Sequence, residues 1–146
     1  MEQTSRLRFW IALIIGLAAT WAVYMAMPTQ DFQPTGLVLP AKVTRPATSP
    51  SDITLLPVQP AAAKELGLVR VEMHYDPKTA QQSQKAIIAY AKQLAAKVGA
   101  NGLVVKLFGH SMPGSVPAAQ AAFELMGVAV YMPNKPTFSY QGGGLL

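Results

Sequence analysis

His74 and His110 are the only two histidines of the chain, and with Glu72, Asp76 and Met112 they are the residues whose types could hold a metal ion. Protein metal sites draw on imidazole, thiolate and carboxylate groups at recurrent spacings, such as histidines one helical turn apart or closely paired cysteines. The spacing here follows none of these patterns, and outward positions on a strand and a loop account for all five residues. Ser111 adjoins His110, but neighbours in sequence rarely bring a base within reach of a nucleophile, and no carboxylate stands ready to orient the imidazole. Glycine-rich phosphate loops are missing as well, because Gly142, Gly143 and Gly144 fall in the C-terminal tail rather than between a strand and a helix. The lack of cysteine excludes disulfides, thiolate metal sites, cysteine nucleophiles and a lipid-modified cysteine. The sequence therefore predicts no catalytic, cofactor-binding or metal-binding residue, no cofactor and no enzymatic activity.

The elements that would position any of these groups follow one apolar run. Phe9 to Met27 contains no charged residue and comes directly after Arg6 and Arg8. As a helix rising about 1.5 Å per residue it spans roughly 28 Å, close to the ~30 Å hydrocarbon core of a bilayer. A cleaved secretory signal also starts with basic residues, but its apolar core is shorter and ends in small side chains. Trp21, Tyr24 and Met25 stand where a cleavage site would lie, and Pro28 follows. Residues 9–27 thus read as an uncleaved signal-anchor in contact with membrane lipid. Arg6, Arg8 and the amino terminus flank it on one side, whereas the other side has Asp31 first and no basic residue before Lys42. This bias predicts cytoplasmic residues 1–8 and an exported C-terminal domain, in a bacterium a single-pass inner-membrane protein facing the periplasm. The net charge of +5 is spread thinly, since charged residues are 13% of the chain and no basic cluster would track a phosphate backbone. No nucleic-acid partner is expected.

Beyond the anchor, residues 28–52 carry prolines at 28, 34, 40, 46 and 50. Missing donors and fixed φ at these positions predict an extended, polyproline-like tether reaching up to ~70 Å. Gly36 to Leu39 is its one apolar island, either plain linker or a short motif that adds as a strand to a partner. What remains is roughly 80 residues, enough for one small domain over 53–132 with a modest core. Ile53 to Leu56 fits an edge strand stopped by Pro57, and residues 61–66 a short helical turn. Gly67 then opens a strand in which Val69, Val71 and Met73 face inward, alternating with Leu68, Arg70, Glu72 and His74. Asp76 before Pro77 is a helix start. Over 77–98, Ala80, Ile87, Ala91, Leu94 and Val98 fall within a ~60° arc opposite Lys78, Lys85 and Lys92. Gly99 ends the helix, and residues 103–108 form a buried strand interrupted by Lys106. Residues 109–117 read as a loop, 118–126 as helical by propensity and 127–132 as a strand, with the boundary between the last two left open. Residues 133–146 lack periodicity and read as a flexible tail. The expected fold class is α+β, with a transmembrane helix, a proline-rich tether, a three- to four-stranded sheet and one main amphipathic helix.

Leu56-Pro57, Leu66-Gly67 with Val69 and Val71, the amphipathic helix, Gly99-Ala100-Asn101-Gly102-Leu103-Val104-Val105 and Gly127-Val128-Ala129-Val130 follow one another in a distinctive order. In this the chain resembles a family of small bacterial envelope domains that includes the YbjQ-like proteins and the Rcs stress-sensor lipoprotein. The resemblance covers residues 53–132 and implies that 118–132 form one long strand. The chain departs from the sensor in lacking its cysteines and lipid attachment, which removes the warrant for carrying over stress sensing. The functional expectation is a non-enzymatic structural or adaptor subunit of an envelope assembly such as a secretion or transport machine, with other envelope proteins as partners. A free-standing sensor or ligand-binding module is the alternative.

Overall fold

The structure is a computed structural model that describes residues 2–28, 31–43, 45–111 and 121–134. The chain divides into two units, Met1–Gln30 and Asp31–Leu146. The first is one helix, α1 (Glu2–Ala26), within which Ser5–Ala26 is long and apolar enough to cross a membrane by length and composition. Within this unit its large apolar side chains, among them Phe9, Trp10, Leu17 and Trp21, are exposed. Thr20 Oγ1 donates to the Gly16 carbonyl at 2.8 Å, so this hydroxyl is satisfied inside the helix.

The second unit is an α+β domain. Its strands are β1 (Thr35–Pro40), β2 (Thr54–Leu56), β3 (Lys64–His74), β4 (Gly102–Ser111) and β5 (Ala122–Tyr131), and its helix is α2 (Ala80–Lys97). They form one sheet in the order β1-β3-β5-β4-β2. Neighbours are antiparallel except β4 and β2, which run parallel. β3 and β4 are each antiparallel to β5 and hence parallel to one another, so α2 is the crossover between them and β5 fills the gap.

The core lies between α2 and one face of the sheet. Along α2, Ser83, Ile87, Ala91, Leu94 and Ala95 are buried at helical spacing. Three of the helix's buried positions are alanines (Ala91, Ala95 and Ala96), which lets its backbone approach the sheet closely. Leu66, Val69, Val71, Met73, Leu103, Phe123, Leu125 and Ala129 supply the sheet side. Asp76 starts the helix as its sequence suggests: the carboxylate accepts from the Lys78 amide at 2.9 Å above a 3₁₀ turn, Pro77–Thr79. Gly99 ends it with φ of 79°, the left-handed conformation of a C-cap.

Several expectations require correction. The sheet has five strands rather than three or four, because part of the supposed tether is β1, paired along its length with β3 from Thr35↔Glu72 to Pro40↔Gly67. Residues 45–48 run along the C-terminal end of α2, with the Thr48 amide donating to the Ala96 carbonyl at 2.9 Å and Arg45 3.5 Å above the Tyr131 ring. The chain left between α1 and β1 is residues 27–34, whose contour length is at most about 28 Å, not ~70 Å. The short turn expected over 61–66 is confined to its start, where the Ala63 amide donates to the Pro60 carbonyl at 3.0 Å; β3 already begins at Lys64 and buries Leu66 completely, with a register shift between Glu65 and Gly67. β4 runs on through Gly109, His110 and Ser111, which the sequence had suggested were loop, and the break at Lys106 is a bulge between Val105 and Leu107. From Ala122 onward the ambiguous segment is strand. Its position between β3 and β4, paired on both sides, outweighs the helical propensity of alanine, glutamate and methionine. Residues 112–120 and the tail from Lys135 lie outside the described residues.

Candidate functional site

The structure separates the residues that looked most capable of chemistry. His74 pairs with Ala122 and His110 with Phe123, successive residues of β5, so the two imidazoles lie on opposite faces of the sheet. His74 is exposed and tilts against Phe32, with ring centroids 6.0 Å apart. Glu72 sits across from Glu124 and Thr35, and the Asp76 carboxylate is engaged as the helix cap. Met112 lies outside the described residues. Among the described residues, no three histidine or acidic side chains come together as a metal-binding group.

His110 belongs instead to an aromatic stack at one end of the sheet. Its Nδ1 is 2.8 Å from the Tyr75 hydroxyl, a contact across 35 residues of sequence. Phe123, only 1% exposed, stacks on Tyr75 with centroids 4.2 Å apart and meets His110 at 4.7 Å and Phe108 at 6.1 Å. This phenol-imidazole pair is a satisfied hydrogen bond resting on an apolar base. Among the described residues the imidazole is oriented by the tyrosine hydroxyl rather than by a carboxylate. Nothing local in the sequence marks Tyr75 as its partner.

The larger feature is the sheet face opposite α2. The register puts Leu39, Leu68, Val128 and Val104 in one row across β1, β3, β5 and β4, and Leu37, Arg70, Met126 and Leu107 in the next. Leu37, Leu39, Leu68 and Leu107 are 51%, 57%, 40% and 49% exposed. Toward the far end the face becomes charged, with Arg70 reaching Glu124 at 2.9 Å. At the other end it is sealed by Leu56, Val104, Val130 and Met132 packing with Ala63. Among the described residues of this unit no helix covers the leucines between. Scattered exposed leucines are ordinary, whereas contiguous ones on a flat strand surface mark a contact region. The sequence signal for this face was the outward position of Leu68 in an otherwise polar alternation, together with Leu37 and Leu39 once their strand is known.

A separate surface depression of about 190 Å³ is lined by Pro40, Val43, Arg45, Lys97 and Val98. Arg45 is already engaged by the Tyr131 ring.

No protein-family model matches the chain, and no curated protein matches it. Among solved structures, the chain is similar to a Francisella virulence factor, FvfA, whose crystal structure is in an orthorhombic form. The two are 24% identical with a TM-score of 0.54, over 66% of this chain and 97% of that one. The likeness is one of fold.

Proposed function

We propose that this protein is a non-enzymatic, membrane-anchored structural or adaptor subunit of a multiprotein envelope assembly such as a secretion or transport machine. In this reading α1 spans the bacterial inner membrane, residues 1–8 are cytoplasmic and the sheet domain is periplasmic. The observation that carries the reading is the open sheet face, with exposed Leu39 and Leu68 in one row and exposed Leu37 and Leu107 in the next, on a small domain linked to an apolar helix. Burying such side chains against a protein partner is worth roughly 25 cal/mol per Å² of apolar surface, whereas leaving them in water gains nothing. A long tether no longer supports the reading, because β1 takes up the middle of that segment.

A photo-reactive residue placed at Leu68 in the full chain, compared with one at Lys85 on the outer side of α2, tests the proposal in intact cells. Leu68 should yield discrete cross-linked envelope proteins that Lys85 does not. Equal and diffuse cross-linking from both positions would count against it, and purification only as a monomer that retains a small molecule would favour the sensor reading. Because the chain has no cysteine, His110→Cys gives a clean topology probe. A membrane-impermeant maleimide should reach it from the periplasmic side, and labelling only after the inner membrane is opened would overturn the orientation.

A further inference from the structure

β1 is an outer strand of the sheet, and among the described residues nothing pairs with its far side. The Ala41 amide donates to the Leu66 carbonyl at 2.8 Å, continuing the β1–β3 register by one position beyond Pro40↔Gly67. In an antiparallel ladder, residues that exchange hydrogen bonds alternate with residues whose backbone points the other way. Thr35, Leu37 and Leu39 therefore bond to β3, and Gly36, Val38 and Pro40 turn their backbone groups outward. Of these only Gly36 and Val38 have an amide to donate. Pro34 and Pro40 bracket them and have none.

We infer that a second copy of this chain pairs with this edge, β1 against β1 in antiparallel fashion around a two-fold axis at Leu37, to give one continuous ten-stranded sheet. The edge is self-complementary in this register. Gly36 lies opposite Val38 of the second copy at two symmetric places, and each pair exchanges two hydrogen bonds, so both outward donors of each copy are used. Pro34 then lies opposite Pro40 of the second copy, where neither side has a donor to leave unpaired. Leu37 meets its counterpart on the open face and joins it to Leu39 and Leu68, merging the exposed rows of both copies. The remaining edge fits an added strand less well. β2 already covers the start of β4, and beyond it a bulge and the exposed Lys106 interrupt the ladder, both devices that discourage strand addition. An isologous contact is also the commonest kind among homo-oligomers. The inference does not depend on the adaptor reading, and failure of one leaves the other standing.

The test is cysteine cross-linking of the full chain in its membranes. In the inferred register Leu37 faces itself in a non-hydrogen-bonded pair with Cα atoms about 4.5 Å apart, inside the range of about 4.4–6.8 Å that a disulfide spans. Thr35 faces Leu39 of the second copy and lies roughly 13 Å along the strand from its own counterpart. Under mild oxidation Leu37→Cys should form a disulfide dimer at least about tenfold faster than Thr35→Cys or Leu39→Cys alone, since only the first pair meets disulfide geometry. A mixture of Thr35→Cys and Leu39→Cys chains should cross-link where neither does by itself. Adding Val38→Pro, which removes an outward donor but no bond to β3, should suppress the Leu37→Cys dimer. Equal rates at the three positions, or a Lys85→Cys control that cross-links as fast, would overturn the inference.

Discussion

Gly99→Ala tests whether residues 45–48 truly run along the end of α2. Gly99 has φ of 79°, and a Cβ added there would lie 2.5 Å from both the Arg45 Cβ and the Pro46 carbonyl oxygen. Alanine in the left-handed region costs roughly 1–2 kcal/mol. The clash adds to this because backbone rather than a flexible side-chain tip must move. Displacing residues 45–46 strains the Thr48 amide bond to Ala96, the Thr48 hydroxyl bond to the Ala100 carbonyl and the Arg45 contact with Tyr131. With about 0.5–1.5 kcal/mol at stake per hydrogen bond, the total loss is about 2–4 kcal/mol. Gly99→Asn separates the two causes, because asparagine tolerates positive φ but still brings a Cβ. It should recover about 1 kcal/mol relative to alanine and remain less stable than the parent. Urea unfolding of the full chain in detergent micelles, followed by circular dichroism, is the suitable assay. Trp10 and Trp21 are the only tryptophans and both lie in α1, so indole fluorescence would not see this domain unfold. A loss below about 0.5 kcal/mol for alanine, far under the cost of the dihedral alone, would refute the backbone assignment. Full stability in the asparagine variant would refute the close approach of residues 45–46.

Phe123→Ala should cost about 3–5 kcal/mol, because the ring is buried and supports Tyr75, His110 and Phe108 together; the same urea assay checks it. Asn101→Ala should cost about 2–3 kcal/mol, since the Asn101 side chain both donates to the Met132 carbonyl and accepts from its amide at 2.7 Å, and alanine leaves both groups unpaired. Hydrogen exchange should show the Met132 amide losing protection first. Arg70→Ala should change stability by less than about 1 kcal/mol, because its ion pair with Glu124 stands on a half-exposed face that water and salt screen. A loss well above that in a melt would mean that the face is drier than its exposure implies.

The parts of this fold that could be read from sequence are those whose signal is local. α2 announces itself through the Asp76-Pro77 start, the spacing of Ile87, Ala91 and Leu94, and the Gly99 stop, all within one continuous segment. The inward set Val69, Val71 and Met73 follows from strict alternation. The first half of β5, residues 122–126, could not be read this way, whereas residues 127–131 already read as strand. Alanine, glutamate and methionine favour helix in isolation, and only the ladders on both sides make the segment a strand. The same holds for His110: a glycine before it and a proline soon after suggest a loop, yet pairing with Phe123 extends the strand through it. The Tyr75 contact had no sequence signal, because it joins the end of β3 to a strand 35 residues later.

The misreading of residues 35–40 has a more specific cause. A proline every six residues reads as an extended linker when each one is counted as a lost donor. In an edge strand the cost depends on parity, because only alternate amides face the neighbouring strand. Prolines at positions of the same parity can both turn their missing donor away from the sheet, and Pro34 and Pro40 fall on the outward parity fixed by the Ala41 bond to Leu66. They therefore cost β1 no bond to β3 while limiting the free edge to the two donors of Gly36 and Val38. Between those prolines, Gly36 also passes so close to the Arg70 carbonyl and Val71 that a side chain there would be obstructed. The composition that suggested a linker is thus also what an edge strand requires when its outer side must offer a short, defined row of hydrogen-bonding groups rather than an unrestricted one.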